Sequence, residues 1–184
     1  FLFKKNKVDY IKGEATLDKP GAVTVKLADG KVETHSAPKI LVSTGCVSRP
    51  MPGFPFDGKR VISSKEAMVL DHRPESMIVI GAGGIGVEFA YFYNSFGTKV
   101  TVVEMLPNLL PVEDTEVSQA LGKSFQKQGI KVLTGTRTTK AETTDRGVRI
   151  TVEDGKGASQ VLEAEVCLVA IGVQPLLPGG GIKL

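Results

Sequence analysis

Met77-Ile-Val-Ile-Gly-Ala-Gly-Gly-Ile-Gly86, followed downstream by Glu104, is the stretch that decides the fold. The apolar run Met77–Ile80 leads into Gly81-x-Gly83-x-x-Gly86. Ile85, Phe89, Phe92 or Tyr93, and Phe96 then recur at helical spacing, predicting one buried helix face, and Gly97 stands where a helix-ending glycine belongs. Lys99-Val-Thr-Val-Val-Glu104 is a second apolar run that ends on a carboxylate. Strand, glycine turn, helix, strand and acid, in that order, make a βαβ unit of the dinucleotide-binding kind.

Each part has its own task. Gly81 permits the tight turn out of the strand, Gly83 lets a pyrophosphate approach the backbone, and Gly86 lets the helix pack on the strand. The pyrophosphate rests on the free N–H groups at the helix start, where the helix dipole favours negative charge. Glu104 is placed to accept hydrogen bonds from the adenosine ribose hydroxyls and to repel a 2′-phosphate. NADP sites instead bring an Arg to that phosphate. No Arg occurs between Arg73 and Arg137. NAD is the expected nucleotide, the alternative for Glu104 being a solvated strand end. Glu88, in the first turns of the helix, reads from the residues alone as a solvated acid favoured by the helix start.

Outward from this unit, the pattern alternates between α/β and all-β. Downstream, Asp114 is an N-cap, Val117, Leu121 and Phe125 form a buried stripe, and Gly129 ends that helix before the strand Ile130–Leu133. Val148–Val152 and Gln160–Glu163 form a hairpin around Asp154-Gly155, and Val166–Ile171 returns as a strand. From Leu176 the chain loses periodicity and reads as a loose tail. Upstream, strands are expected at Val8–Ile11, at Val23–Leu27 and Val32–Thr34 around an Asp29-Gly30 turn, and at Lys39–Ser43. Pro50, Pro52 and Pro55 stiffen a crossover, and Ser63 or Ser64 caps a short helix through Leu70.

Composition excludes several classes. Apolar content of 41% and charge of 23% are those of a globular protein. A net charge of +3, with scattered basic residues, does not suggest nucleic acid. No run approaches the ~18 apolar residues of a membrane span. The two cysteines, Cys46 and Cys167, have neither redox nor metal spacing, so no metal site is expected. Cys167 reads as a core residue and Cys46 as a turn residue, in keeping with a reducing, cytoplasmic-type compartment (or a mitochondrial matrix).

The sequence resembles dihydrolipoyl dehydrogenase and its relatives, the flavin-dependent pyridine-nucleotide disulfide oxidoreductases. Gly13-Glu-Ala-Thr-Leu17, Ile40-Leu-Val-Ser-Thr-Gly45, Val61-Ile-Ser-Ser-Lys-Glu66, Ile80–Glu88, Thr101–Glu104 and Val169-Ala-Ile-Gly172 carry the likeness in order and spacing. The resemblance implies an α/β fold: a Rossmann-like NAD-binding domain over residues 70–172, with a parallel sheet, βαβ units and a β-meander. A small β-rich part of an FAD-binding domain spans 1–65, and a tail over 173–184 returns toward it.

By resemblance, NAD contacts map onto Gly81, Ala82, Gly83, Gly84, Ile85, Gly86, Glu88, Glu104, Thr138, Ala170 and Gly172. Glu88 would stand beside the nicotinamide. FAD contacts map onto Gly13, Thr44, Gly45 and Cys46. The family's FAD-binding G-x-G-x-x-G, its C-x-x-x-x-C disulfide and its C-terminal His-Glu pair have no counterpart in these residues. The expectation is therefore a central part of such an enzyme, with NAD(H) as ligand, no catalytic residue of its own, and as partner either the remainder of the flavoprotein or a second copy. The alternatives are a non-catalytic or self-associating nucleotide module, or part of a related NADH oxidase or mercuric reductase.

Overall fold

The computed structural model describes residues 1–176. The tail expected after Leu176 lies outside the described residues. The chain divides into two compact units, Phe1–Val47 joined by the chain from Pro175, and Ser48–Gln174. The Pro-rich stretch falls within the second unit.

The first unit opens with a single helical turn, α1 (Leu2–Lys5), and continues as an antiparallel meander, β1 (Gly13–Lys19), β2 (Ala22–Leu27) and β3 (Val32–Ser36), in the order β1-β2-β3. The Asp29-Gly30 turn joins β2 and β3 as its sequence predicts. Gly30 has φ +85°, and Asp29 Oδ1 accepts the Lys31 N–H at 3.0 Å. Two expected strands are not formed. Val8–Ile11 and Lys39–Ser43 adopt no regular structure and have no partner in any ladder among the described residues, and Leu41 is 90% exposed. An apolar run becomes a strand only where another strand takes up its N–H and C=O groups.

β4 (Cys46–Ser48) leads into the second unit, which holds β5 (Val61–Ile62), α2 (Ser64–Ala67), β6 (Ser76–Ile80), α3 (Gly84–Ser95), β7 (Lys99–Val103), α4 (Thr115–Lys127), β8 (Lys131–Leu133), β9 (Thr136–Thr144), β10 (Gly147–Asp154), β11 (Ser159–Ala164) and β12 (Val166–Val169), before β13 (Val173–Pro175) leaves it. Its centre is a parallel sheet in the order β5-β12-β6-β7-β8. The antiparallel meander β11-β10-β9 lies beside it.

Side-chain alternation builds the layers. On β6, Met77 and Val79 pack with Val100, Val102, Ala90, Tyr93 and Phe125 on the helical side. Ile78 and Ile80 point the other way, onto Val148, Ile150 and Val152 of the meander. The parallel strands are thus covered on both faces, which is why they read as unbroken apolar runs. Cys167 sits in the second of these clusters, fully buried, and burial pushes its thiol up.

The caps follow the sequence. Ser63 and Glu66 form a capping box on α2, which ends at Ala67 rather than Leu70, and Asp114 Oδ1 accepts the Glu116 N–H at 2.8 Å to start α4. The buried helix faces differ from those expected. On α3 they are Gly86, Val87, Ala90 and Tyr93, while Ile85, Phe92 and Phe96 are exposed. A Cβ at Gly86 would press on the Gly81 carbonyl oxygen, so this face, Tyr93 included, turns toward the sheet and leaves Phe92 and Phe96 outward. On α4, Ser118 is buried beside Phe125 and Val117 is exposed, because Ser118 Oγ reaches the Leu110 carbonyl.

Among the described residues no helix is long and apolar enough to cross a membrane.

Candidate functional site

The parallel strands β6, β7 and β12 all end at one edge, and the chain opens there into a cleft of about 550 Å³. Ligands of open α/β sheets bind at such carboxyl ends. The ladder runs on past the strands: Gly81 N–H donates to the Val103 carbonyl at 2.8 Å, Ala170 N–H to that of Ile80 at 2.7 Å, and Glu104 N–H to that of Leu133 at 2.8 Å. These bonds hold the three turns side by side.

The glycines of the turn meet different steric demands. Gly81 has φ +99°, and a Cβ there would come within 2.5 Å of the Ala170 carbonyl oxygen. Gly83 is the N-cap of α3, with no side-chain cap, and a Cβ at Gly83 or Gly84 would point into open space. The first-turn amides of α3 therefore face the cleft without a side chain between, the arrangement that receives an anion.

Glu104 is not a solvated strand end. It is 8% exposed. Its Oε2 accepts the Ala82 N–H at 2.7 Å and its Oε1 the Leu106 N–H at 2.8 Å. The Ala82 carbonyl in turn accepts the Leu110 N–H at 2.8 Å, which holds Leu110 at φ +46°. Each carboxylate oxygen keeps a further lone pair, so Glu104 can anchor the glycine turn and still accept from a ligand.

Of the residues expected at a nucleotide, Gly81, Gly83, Gly84, Ile85, Glu104, Thr138, Ala170 and Gly172 all line this cleft. Ala82 and Gly86 do not. Ala82 is fully buried with its N–H and C=O both bonded within the protein, and Gly86 is buried against β6. Glu88 is not in the cleft either. It is exposed on α3, beside Met68, Phe89 and Phe92. The Thr138 hydroxyl is buried and has no hydrogen-bond partner among the described residues. Such a hydroxyl in a cleft wall can exchange a hydrogen bond with a polar group of a ligand. It fits a nucleotide, as do the open Gly83 cradle and the Glu104 carboxylate.

Arg137 also lines the cleft, a position its sequence context does not signal. It lies on β9, a Thr-rich strand whose polar residues hide the alternation that reveals strands. Its Nη2 donates to Glu153 Oε1 at 2.8 Å. The Arg-free interval that favoured NAD thus ends on a residue that itself reaches the site.

The residues expected at FAD belong to the first unit. Gly13 opens β1, where a Cβ would meet Val25 Cγ1 at 2.5 Å, and Thr44, Gly45 and Cys46 are exposed. Gly45 has φ +84° and accepts the Leu176 N–H at 2.9 Å. No group of three or more metal-ligating side chains occurs among the described residues.

At the opposite end of the sheet, His72 lies between two carboxylates: Nδ1 is 2.7 Å from Asp71 Oδ1 and Nε2 is 2.8 Å from Glu165 Oε1. Hydrogen bonds to Asp71 and then Glu165 raise the imidazole above its ordinary value, and the bond to His72 holds Glu165 low. Glu165 also accepts the Glu75 N–H at 2.9 Å, so this cluster ties the start of β6 to that of β12.

Comparison with known proteins identifies the family. The family described as "Pyridine nucleotide-disulphide oxidoreductase" matches residues 1–180. The chain is 43% identical over 182 residues to a dihydrolipoyl dehydrogenase of Chlorobaculum tepidum, covering 99% of this chain and 39% of that protein. It is 44% identical over 185 residues to a dihydrolipoamide dehydrogenase of Chaetomium thermophilum, covering 100% of this chain and 37% of that one. The chain thus spans about two fifths of the length of these curated relatives. Among solved structures, LpdA from Mycobacterium tuberculosis superposes with a TM-score of 0.76 at 31% identity, over 95% of this chain and 38% of that one. The mixed α/β architecture with its Rossmann-like parallel sheet is that of this group, and the group uses FAD and NAD(H). The chain belongs to the pyridine nucleotide-disulphide oxidoreductase family.

Proposed function

We propose that the cleft binds NAD(H), with the pyrophosphate on the Gly83 and Gly84 backbone at the start of α3, the adenosine ribose toward Glu104 and a polar group of the nucleotide on the Thr138 hydroxyl. The observation that carries this reading is the uncapped glycine N-terminus of α3, opening into the same cleft as a buried carboxylate held by two backbone amides. Such a terminus takes an anion, and such a carboxylate takes hydroxyl donors. The bound nucleotide would supply hydride chemistry; these residues bind and orient it.

The relatives that cover this chain end to end support a further step. These residues are the NAD(H)-binding part of a dihydrolipoyl dehydrogenase, which oxidises dihydrolipoamide through a redox disulfide and FAD and passes the electrons to NAD⁺. In that setting Gly13, Thr44, Gly45 and Cys46 serve FAD, and the partner is the rest of the flavoprotein or a second copy of the chain. Cys46 and Cys167 do not make a disulfide pair, one being exposed and the other buried in the core. The 184 residues by themselves bind NADH and do not turn over dihydrolipoamide. An NADH titration, run beside an assay with dihydrolipoamide, FAD and NAD⁺, tests both halves. Saturable binding without turnover is expected, and turnover above a protein-free control would overturn the second half.

A further inference from the structure

Glu104 and Arg137 are the charged residues among the described lining of the cleft. They act in opposite senses on a nucleotide that carries an extra phosphate: the carboxylate repels it and the guanidinium attracts it. They also lie at the same end. The Glu104 carbonyl accepts the Thr136 N–H at 2.9 Å, and Arg137 follows directly on β9. The cleft therefore holds a cation suited to a 2′-phosphate beside the acid that would exclude one.

Glu153 decides what that cation can do. It is directly opposite Arg137 in the β9–β10 ladder. Opposed residues of an antiparallel pair project from the same face, so the register itself delivers the carboxylate to the guanidinium. The contact is an ion pair with Arg137 Nη2 at 2.8 Å from Glu153 Oε1. Glu153 does not line the cleft, and its side chain is the less exposed of the two, at 28% against 62%. The acid is the more buried partner, and the arginine the more exposed.

Resting on the NAD(H) reading above, we propose that Glu153 is a specificity-determining residue. By neutralising Arg137 and fixing its fork against β10, it withholds the cation from a 2′-phosphate and keeps the cleft selective for NADH over NADPH. It acts through Arg137 and touches no ligand.

The test is a set of NADH and NADPH titrations on the unsubstituted chain and on Glu153→Gln, Arg137→Gln and the double variant, with thermal melting as a check of folding. Glu153→Gln should leave NADH affinity within about twofold and raise the affinity for NADPH relative to NADH about fivefold, the scale of an exposed ion pair. Adding Arg137→Gln should return that ratio to the value of Arg137→Gln alone. Glu153→Thr, suited to a strand, serves the same purpose should the glutamine variant not fold. An unchanged ratio in Glu153→Gln with NADH binding intact overturns this inference alone. A rise that survives the Arg137 substitution also overturns it. Absence of NADH binding by the unsubstituted chain overturns the NAD(H) reading and this inference with it.

Discussion

Gly83 and Gly86 share one turn and one residue type, yet the structure assigns them opposite sensitivities. At Gly83, φ is −69° and a Cβ would meet nothing, so alanine fits the fold and intrudes only on a ligand. At Gly86 a Cβ would press on the Gly81 carbonyl and meet Val79. Gly83→Ala should keep its melting temperature and lose about tenfold or more in NADH affinity, a change of ~1.4 kcal/mol. Gly86→Ala should lose stability by about 1–3 kcal/mol, as overpacked sites do, visible in chemical denaturation without any ligand. Glu104 makes a third case. Glu104→Gln places an amide where two buried N–H groups need acceptors, at a cost of about 1–3 kcal/mol. Chemical denaturation would show that loss, and NADH affinity should fall with it. A variant of full stability that merely binds less tightly would show Glu104 to be a ligand contact only. The glycine roles and the position of Glu104 were legible from spacing. Its hydrogen bond to Ala82 was not, because residues 22 positions apart meet only once the sheet has formed.

Elements were legible where local pattern and tertiary packing agree. The β6–α3–β7 unit, both N-caps and the Asp29-Gly30 hairpin carry their signals in adjacent residues. The segments Val8–Ile11 and Lys39–Ser43 have strand-like composition but no partner strand among the described residues, and β9 has a partner but not the composition. The buried face of α3 departs in part from the apolar spacing for a related reason: close approach at Gly86, rather than the size of the apolar residues, sets which side meets the sheet. At the other edge of the same sheet, the His72 cluster makes the link between the starts of β6 and β12 depend on pH. When protonated, His72 donates to both Asp71 and Glu165. Its value in the folded state is raised above 6.5, so its contribution is complete below the unfolded value and is lost as pH rises through the folded one. Melting temperature should therefore decline across that interval in the unsubstituted chain. His72→Asn should flatten the decline, and an identical pH profile in the two proteins would remove the linkage.

At the scale of the whole molecule, nearly all of the apolar core lies in Ser48–Gln174. Both core clusters fall there, whereas among the described residues the buried apolar residues of the first unit are Ala22 and Val25. A small unit with so little buried surface is marginal on its own. Residues 48–174 expressed alone should melt cooperatively and bind NADH as the full chain does, while residues 1–47 alone should show no cooperative transition by circular dichroism. The cleft draws every lining residue from the larger unit, so nucleotide binding is a property of that unit. The measurement that bears most directly on the account is a fluorescence titration of the 184-residue chain with NADH, with NADPH as competitor. The account predicts saturable binding at one site per chain, displaced only weakly by NADPH and abolished or much weakened in Gly83→Ala. Failure of NADH to saturate a folded chain, or binding that Gly83→Ala leaves untouched, would contradict it.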